Sequence, residues 1–194
     1  MKKYNVAVLG ATGAVGREML SILEERDFPV AELRPLASSR SAGGSIEFQG
    51  RPVRVQEACD SAFAGIDIVL GAAENDIAQK LAPAIKAAGA VFVDNSSAFR
   101  MNPEVPLVIP EINPEDAKLH QGIIANPNCT TIVTLVAVNA LSKLSPIKAM
   151  VASSYQAVSG AGVAGPRELM AQVESIYKGE TPEINAFQYQ IAYN

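Results

Sequence analysis

A doubly wound α/β fold, a parallel sheet with helices on both faces, is what this sequence predicts, and three observations carry that prediction. Short apolar strand-like runs alternate with segments whose apolar residues recur at helical spacing. A glycine turn joins the first strand candidate to the first helix candidate. The chain's 194 residues, 48% hydrophobic and 19% charged, can also bury a sizeable core and do not resemble a disordered composition.

Taken in order, Asn5-Val6-Ala7-Val8-Leu9 reads as a buried strand, and Ala14 to Arg26 repeats apolar residues at Val15, Met19, Ile22 and Leu23, one face of a helix. Further strand candidates are Leu33 to Ala37, Ile66 to Leu70, Val91 to Val93, Leu107 to Ile109 and Ile123 to Ala125. A helical stretch runs from about Asp76 to Ala88. Ile46 to Val55, with Gly50 and Pro52, reads as an edge hairpin. After Cys129 the pattern changes: a helix from Thr130 to Lys143, a Ser145-Pro146 break, and one long strand candidate from Ile147 to Val158. A loop follows at Ser159 to Gly162, then a helix from Gly165 to Lys178 that tolerates Pro166 in its first turn. A boundary near Asn128 is therefore expected, with residues 1–128 as one domain and 129–194 as the beginning of a second. The final Ile191-Ala192-Tyr193-Asn194 carries no recognisable stop signal, so the second domain is expected to be incomplete.

Composition excludes some functions. Sixteen basic against twenty acidic side chains give a formal net charge of -4, and no basic cluster suggests nucleic acid or an anionic membrane as partner. The longest apolar stretch, Ile132 to Val138, is interrupted by Thr134 and is too short for a membrane span. The N-terminus lacks the pattern of an export signal. Two cysteines are too few for a disulfide framework, so a reducing cytoplasm is the expected location. Small ligands remain.

Gly10-Ala11-Thr12-Gly13-Ala14-Val15-Gly16 lies where backbone N–H groups and a helix dipole can hold a pyrophosphate, as in a Rossmann-type domain. Its GxxGxxG spacing also fits a tight turn with close helix packing alone. NAD-selective sites usually place an acid at the end of the second strand. Here the chain reads Ala37-Ser38-Ser39-Arg40-Ser41-Ala42-Gly43-Gly44, and a guanidinium with hydroxyls suits a 2'-phosphate, which favours NADP. The other reading is a polar surface loop.

Cys129 follows Asn126-Pro127-Asn128 where a strand should end and a helix begin. Unpaired N–H groups and the positive dipole end favour an anionic sulfur there, and the two asparagines can cap the helix or donate to an oxyanion. Cys59, in Glu57-Ala58-Cys59-Asp60, reads as an inert core thiol. A nucleotide site with a nucleophilic cysteine implies aldehyde and acyl-level substrates interconverted through a thioester, with hydride exchanged with nicotinamide. No metal is implied.

GATGAVG at 10–16, SSRSAGG at 38–44, DNSSAFR at 94–100, ANPNCTT at 125–131 and SYQAVSGAG at 154–162 together resemble the aspartate-semialdehyde dehydrogenases, in order and across essentially the whole chain. The resemblance implies reductive dephosphorylation of L-4-aspartyl phosphate to L-aspartate 4-semialdehyde with NADPH, on the route to lysine, threonine and methionine. It implies Cys129 as acyl-thioester nucleophile, Gln156 as the amide that orients substrate, and Arg100 in phosphate binding with Asn95 nearby. It implies NADP contacts from Thr12, Gly13, Ala14 and Val15 in the turn that Gly10 opens, from Arg40 and Ser41 in the loop that Ser38 opens, and from Ser159 and Gly160. A homodimer or homotetramer is implied for the full-length enzyme. On the residues alone, Arg100 has the alternative reading of a solvated surface arginine, and Gln156 reads first as a polar residue of a sheet edge.

Two departures stand out. Glu74, in Gly71-Ala72-Ala73-Glu74-Asn75-Asp76, places an acid where the family often has a glycine- and serine-rich turn beside the cofactor. The family's acid/base histidine and substrate-carboxylate arginine are expected beyond Asn194. The one histidine here, His120, reads as an exposed residue at the end of a short helix. The rival readings are a related acyl-phosphate or acyl-thioester reductase and a non-catalytic NADP-binding fragment.

Overall fold

Alternate burial on one strand sets the layers of the molecule. In the computed structural model, which describes residues 2–194, Tyr4–Leu9 forms β1. Val6 and Val8 pack on one side with Leu20, Leu23, Leu33 and Phe48, while Ala7 and Leu9 pack on the other with Phe63, Leu81, Ile85 and Phe92. A strand covered on both faces is what parallel sheets require, and each fully buried large aliphatic side chain contributes roughly 1.5–3 kcal/mol.

Ala14–Glu25 forms α1 and Val30–Ala37 forms β2, followed by the hairpin of Ser45–Phe48 (β3) and Arg51–Arg54 (β4) and by the short Gln56–Glu57 (β5). Ile68–Gly71 (β6), Asn75–Ala87 (α2), Val91–Asp94 (β7) and Ile123–Ala125 (β8) complete the sheet side. All pairings in the six-stranded sheet are parallel, in the order β5-β2-β1-β6-β7-β8. That order is the Rossmann one, with its reversal between β1 and β6, so ligands are expected outside the carboxyl ends of those strands. β3 and β4 form a separate two-stranded sheet, so the expected hairpin exists but is not an edge of the main sheet.

Two strand expectations are corrected. Leu107 to Ile109 is only an isolated bridge, Leu107 with Ala125, because Pro106 and Pro110 bracket it and supply no N–H to a ladder. Ile147 to Val158 is not a strand. No ladder forms along it among the described residues, and Val151 is 98% exposed. β-propensity without a partner strand does not make a strand. β5 carries no apolar run that would announce a strand, and its two residues are exposed.

Cys129–Ser142 forms α3 and Ala164–Tyr177 forms α4. The chain divides into two compact units, Met1–Ala149 and Met150–Asn194. Within the second, Glu168 and Gln172 are buried on successive turns of α4 and bind one another at 3.0 Å. They hold the following loop: Glu168 accepts from Asn185 and Ala186 amides, and Gln172 accepts from those of Ile191 and Ala192. Open clefts of about 600 and 480 Å³ run along α4 and include none of the expected site residues.

Candidate active site

The glycine turn between β1 and α1 divides its glycines by task. Gly10 has φ +84°, and a Cβ there would lie 2.6 Å from the Ala72 carbonyl oxygen. Its amide and that of Ala11 donate to the Leu36 carbonyl at 2.8 and 3.0 Å, fastening the turn to β2. A Cβ on Gly16 would lie 2.3 Å from the Gly10 oxygen, so α1 needs this glycine to seat against the turn. Gly13 differs: its Cβ would meet only the Gly10 oxygen, at 3.4 Å. Gly13 is exposed and is the N-cap of α1, with no side-chain cap. Packing therefore does not demand it, and a bare, uncapped helix start beside the β1/β6 crevice fits a pyrophosphate. Thr12 is half-buried, and Ala14 and Val15 are exposed at the same helix start.

After β2, the Ser38 carbonyl accepts from the Ser41 and Ala42 amides at 2.9 and 3.0 Å and closes a turn around Arg40. Ser38, Arg40 and Ser41 are all exposed, and no ion pair or side-chain hydrogen bond ties Arg40 to another described residue. Across the crevice Glu74 is exposed at the N-cap of α2, where a helix dipole tolerates an acid.

The loops after β7 and β8 are joined by hydrogen bonds. Asn126 donates its backbone N–H to the Asp94 carbonyl at 2.8 Å and its side-chain amide to Asn95 Oδ1 at 2.6 Å. Arg100 donates Nε to the Asn126 carbonyl at 2.8 Å and Nη2 to the Asn95 carbonyl at 3.0 Å. Arg100 is thus half-buried and anchored, and the rest of its donors can serve an anion. Asn75, at the start of α2, pairs with Ser97 through both its amide atoms. The loops after β6, β7 and β8 are consequently one connected surface at the carboxyl end of the sheet.

Cys129 is the first residue of α3 and is exposed. Asn128 caps the helix by accepting from the Thr130 and Thr131 amides at 3.0 and 3.4 Å, as its sequence position suggests. Cys59 is corrected: it is exposed, not in the core, because it sits extended at the N-cap of the 3-10 turn Asp60–Phe63. Its sulfur lies 3.4 Å from Ser61 Oγ. His120 follows the 3-10 turn Pro114–Leu119, and its Nδ1 accepts from the Gly122 amide at 3.0 Å. Gln156, Ser159 and Gly160 lie in the second unit and are exposed.

One contributor was missed in the sequence. Asp94 is fully buried at the end of β7 and accepts from the Ser96 amide at 3.2 Å and the Ser96 hydroxyl at 2.5 Å. Burial pushes its carboxyl above the usual range, opposed by the Ser96 bonds and by nearby Arg100. The polarity of Asp94-Asn95-Ser96-Ser97 suggests only a turn.

The fold and this surface define a dinucleotide-binding α/β protein with a cysteine at a helix start among its ligand-side loops. Residues 5–120 match the NAD-binding domain of semialdehyde dehydrogenases, and residues 138–194 match the dimerisation domain of the same family. The chain belongs to the semialdehyde dehydrogenase family. It is 54% identical to an aspartate-semialdehyde dehydrogenase of Synechocystis sp. over 97% of its own length and 56% of that relative's. Aspartate semialdehyde dehydrogenase II of Vibrio cholerae, solved complexed with ASA, superposes with a TM-score of 0.86 at 44% identity, covering all of this chain and 58% of that one. The Candida albicans enzyme, solved with NADP, gives a TM-score of 0.59 at 25% identity over 75% of this chain and 48% of its own. The chain thus matches about half the length of these relatives, from 48% to 58%.

Proposed function

We propose that this chain is the nucleotide-binding and nucleophile-bearing part of an enzyme that converts L-4-aspartyl phosphate and NADPH reversibly to L-aspartate 4-semialdehyde, phosphate and NADP, in the biosynthesis of lysine, threonine and methionine. The observation that carries the reading is Cys129 at the capped start of α3, on a turn hydrogen-bonded to the Arg100 loop. In this reading the Cys129 sulfur attacks the acyl carbon, phosphate leaves toward Arg100 and Asn95, and a thioester remains. The nicotinamide supplies the hydride when bound. Gln156 orients the acyl group. The bare Gly13 helix start takes the pyrophosphate, and Ser159 and Gly160 are read as further NADP contacts.

The preference for NADP rests on Arg40, exposed with Ser38 and Ser41 where NAD sites carry an acid. The Candida albicans relative solved with NADP supports it. Residues 1–128 are read as the cofactor domain and 129–194 as part of the catalytic and dimerisation domain. That division is supported by the two family matches, and the dimerisation match supports a homodimer. A cytoplasmic setting suits a thiol nucleophile.

The test is an assay with aspartate semialdehyde, phosphate and NADP on this chain and on one extended to the relatives' full length. The extended chain should turn over, and Cys129→Ala should abolish that turnover. Arg40→Ala should bring the NADPH and NADH affinities of the extended chain closer together, by roughly tenfold for one lost charge-assisted phosphate contact. Equal affinities before the substitution would remove the NADP assignment.

A further inference from the structure

Among the described residues of the sheet unit the Asp94 carboxyl is the one buried acid, and it has no part in the chemistry just proposed. Both of its oxygens are engaged by Ser96, and the Ser96 hydroxyl in turn accepts from the Ala98 amide at 3.1 Å. These bonds fix the loop 94–100 from the inside. From the outside, that loop grips the residues leading into Cys129 at three points: the Asp94 carbonyl and Asn95 Oδ1 accept from Asn126, and Arg100 Nε donates to the Asn126 carbonyl. Room for the acid is made by Gly71, where a Cβ would stand 2.9 Å from Asp94 Oδ1.

We infer that Asp94 is a positioning residue for Cys129: its buried side chain sets the loop 94–100, and that loop holds the Asn126–Asn128 turn from which α3 starts. The inference rests on the reading of Cys129 as nucleophile. Loosening the loop frees the turn, the first turn of α3 frays, and the helix end that favours an anion at its first residue is lost.

Limited iodoacetamide labelling near neutral pH, with label at Cys129 and Cys59 separated by mass spectrometry, tests it on the chain as it stands. The exposed Cys59 is the internal control. Asp94→Ala should lower the Cys129-to-Cys59 labelling ratio roughly two- to fivefold, the scale of a helix-end charge interaction. Asp94→Asn, which keeps the shape and the Oδ1 acceptor, should stay near the parent ratio. Ser96→Ala removes the same link without emptying the buried position and should lower the ratio even if Asp94→Ala fails to fold. A purely structural Asp94 would lower the unfolding midpoint and leave the ratio unchanged, and an unchanged ratio in folded Ser96→Ala or Asp94→Ala protein overturns the inference. A parent chain that labels Cys59 faster than Cys129 would count against the nucleophile reading instead, while the shift between variants still decides the role of Asp94.

Discussion

At the scale of single residues, Asp94 makes stability depend on pH. Desolvation raises its carboxyl above the ordinary 3.8, with the two Ser96 bonds and Arg100 pulling the other way. The folded state therefore holds this proton more firmly than the unfolded chain does. By linkage its stabilising contribution is complete below the unfolded value and is lost as pH rises through the higher folded value. Asp94→Asn, which has no proton to lose, should remove that loss. Urea midpoints measured from about pH 3 to pH 7 should show the parent falling relative to the Asn variant across the acid limb, since burying the charged form costs free energy. Parallel midpoints across that range would mean Asp94 ionises in the fold as easily as in water.

Elements show more clearly what a chain of letters can and cannot reveal. The glycine turn at 10–16 joins β1 to α1 and puts two tests side by side. Gly16→Ala drives a Cβ to 2.3 Å from the Gly10 oxygen and should destabilise the sheet unit by about 1–3 kcal/mol. Gly13→Ala meets nothing closer than 3.4 Å and should change stability by only about 1 kcal/mol or less, the cost of an alanine N-cap, while weakening dinucleotide binding. Urea unfolding and cofactor titration on both variants separate the tasks; equal effects on stability would return Gly13 to a packing role. Five of the six sheet strands and all four helices were legible because each carries its own apolar run or periodicity. β5 was not, since its two exposed residues are a strand only by pairing with Leu36 and Ala37. Leu107 to Ile109 and Ile147 to Val158 failed for the reverse reason: they have strand composition without a ladder. The site divides likewise. Cys129 announces itself by local position, whereas the link from Arg100 to Asn126 joins residues 26 apart and exists only in the fold.

The whole molecule carries apolar surface that a folded monomer seldom leaves open. α3 is apolar all round, the pattern of a helix enclosed by protein, yet it has no buried residue, and Val133 and Leu141 are 75% and 62% exposed. In the second unit Val151 and Tyr155 are exposed as well, on a stretch with no strand partner among the described residues. In the longer relatives further chain is available to cover such a surface, since this one spans 56% of the Synechocystis protein. The 194-residue chain alone should therefore self-associate, with sedimentation velocity showing larger species as concentration rises. It should also turn over aspartate semialdehyde at a negligible rate. Its one histidine, His120, already has Nδ1 engaged by Gly122, and losing general acid–base assistance typically costs about 10²- to 10⁴-fold. The assay and the sedimentation series belong together: a chain that stays monomeric throughout and matches the turnover of the extended version would make His120 or another group the working base, and would show that the exposed faces of α3 need no cover.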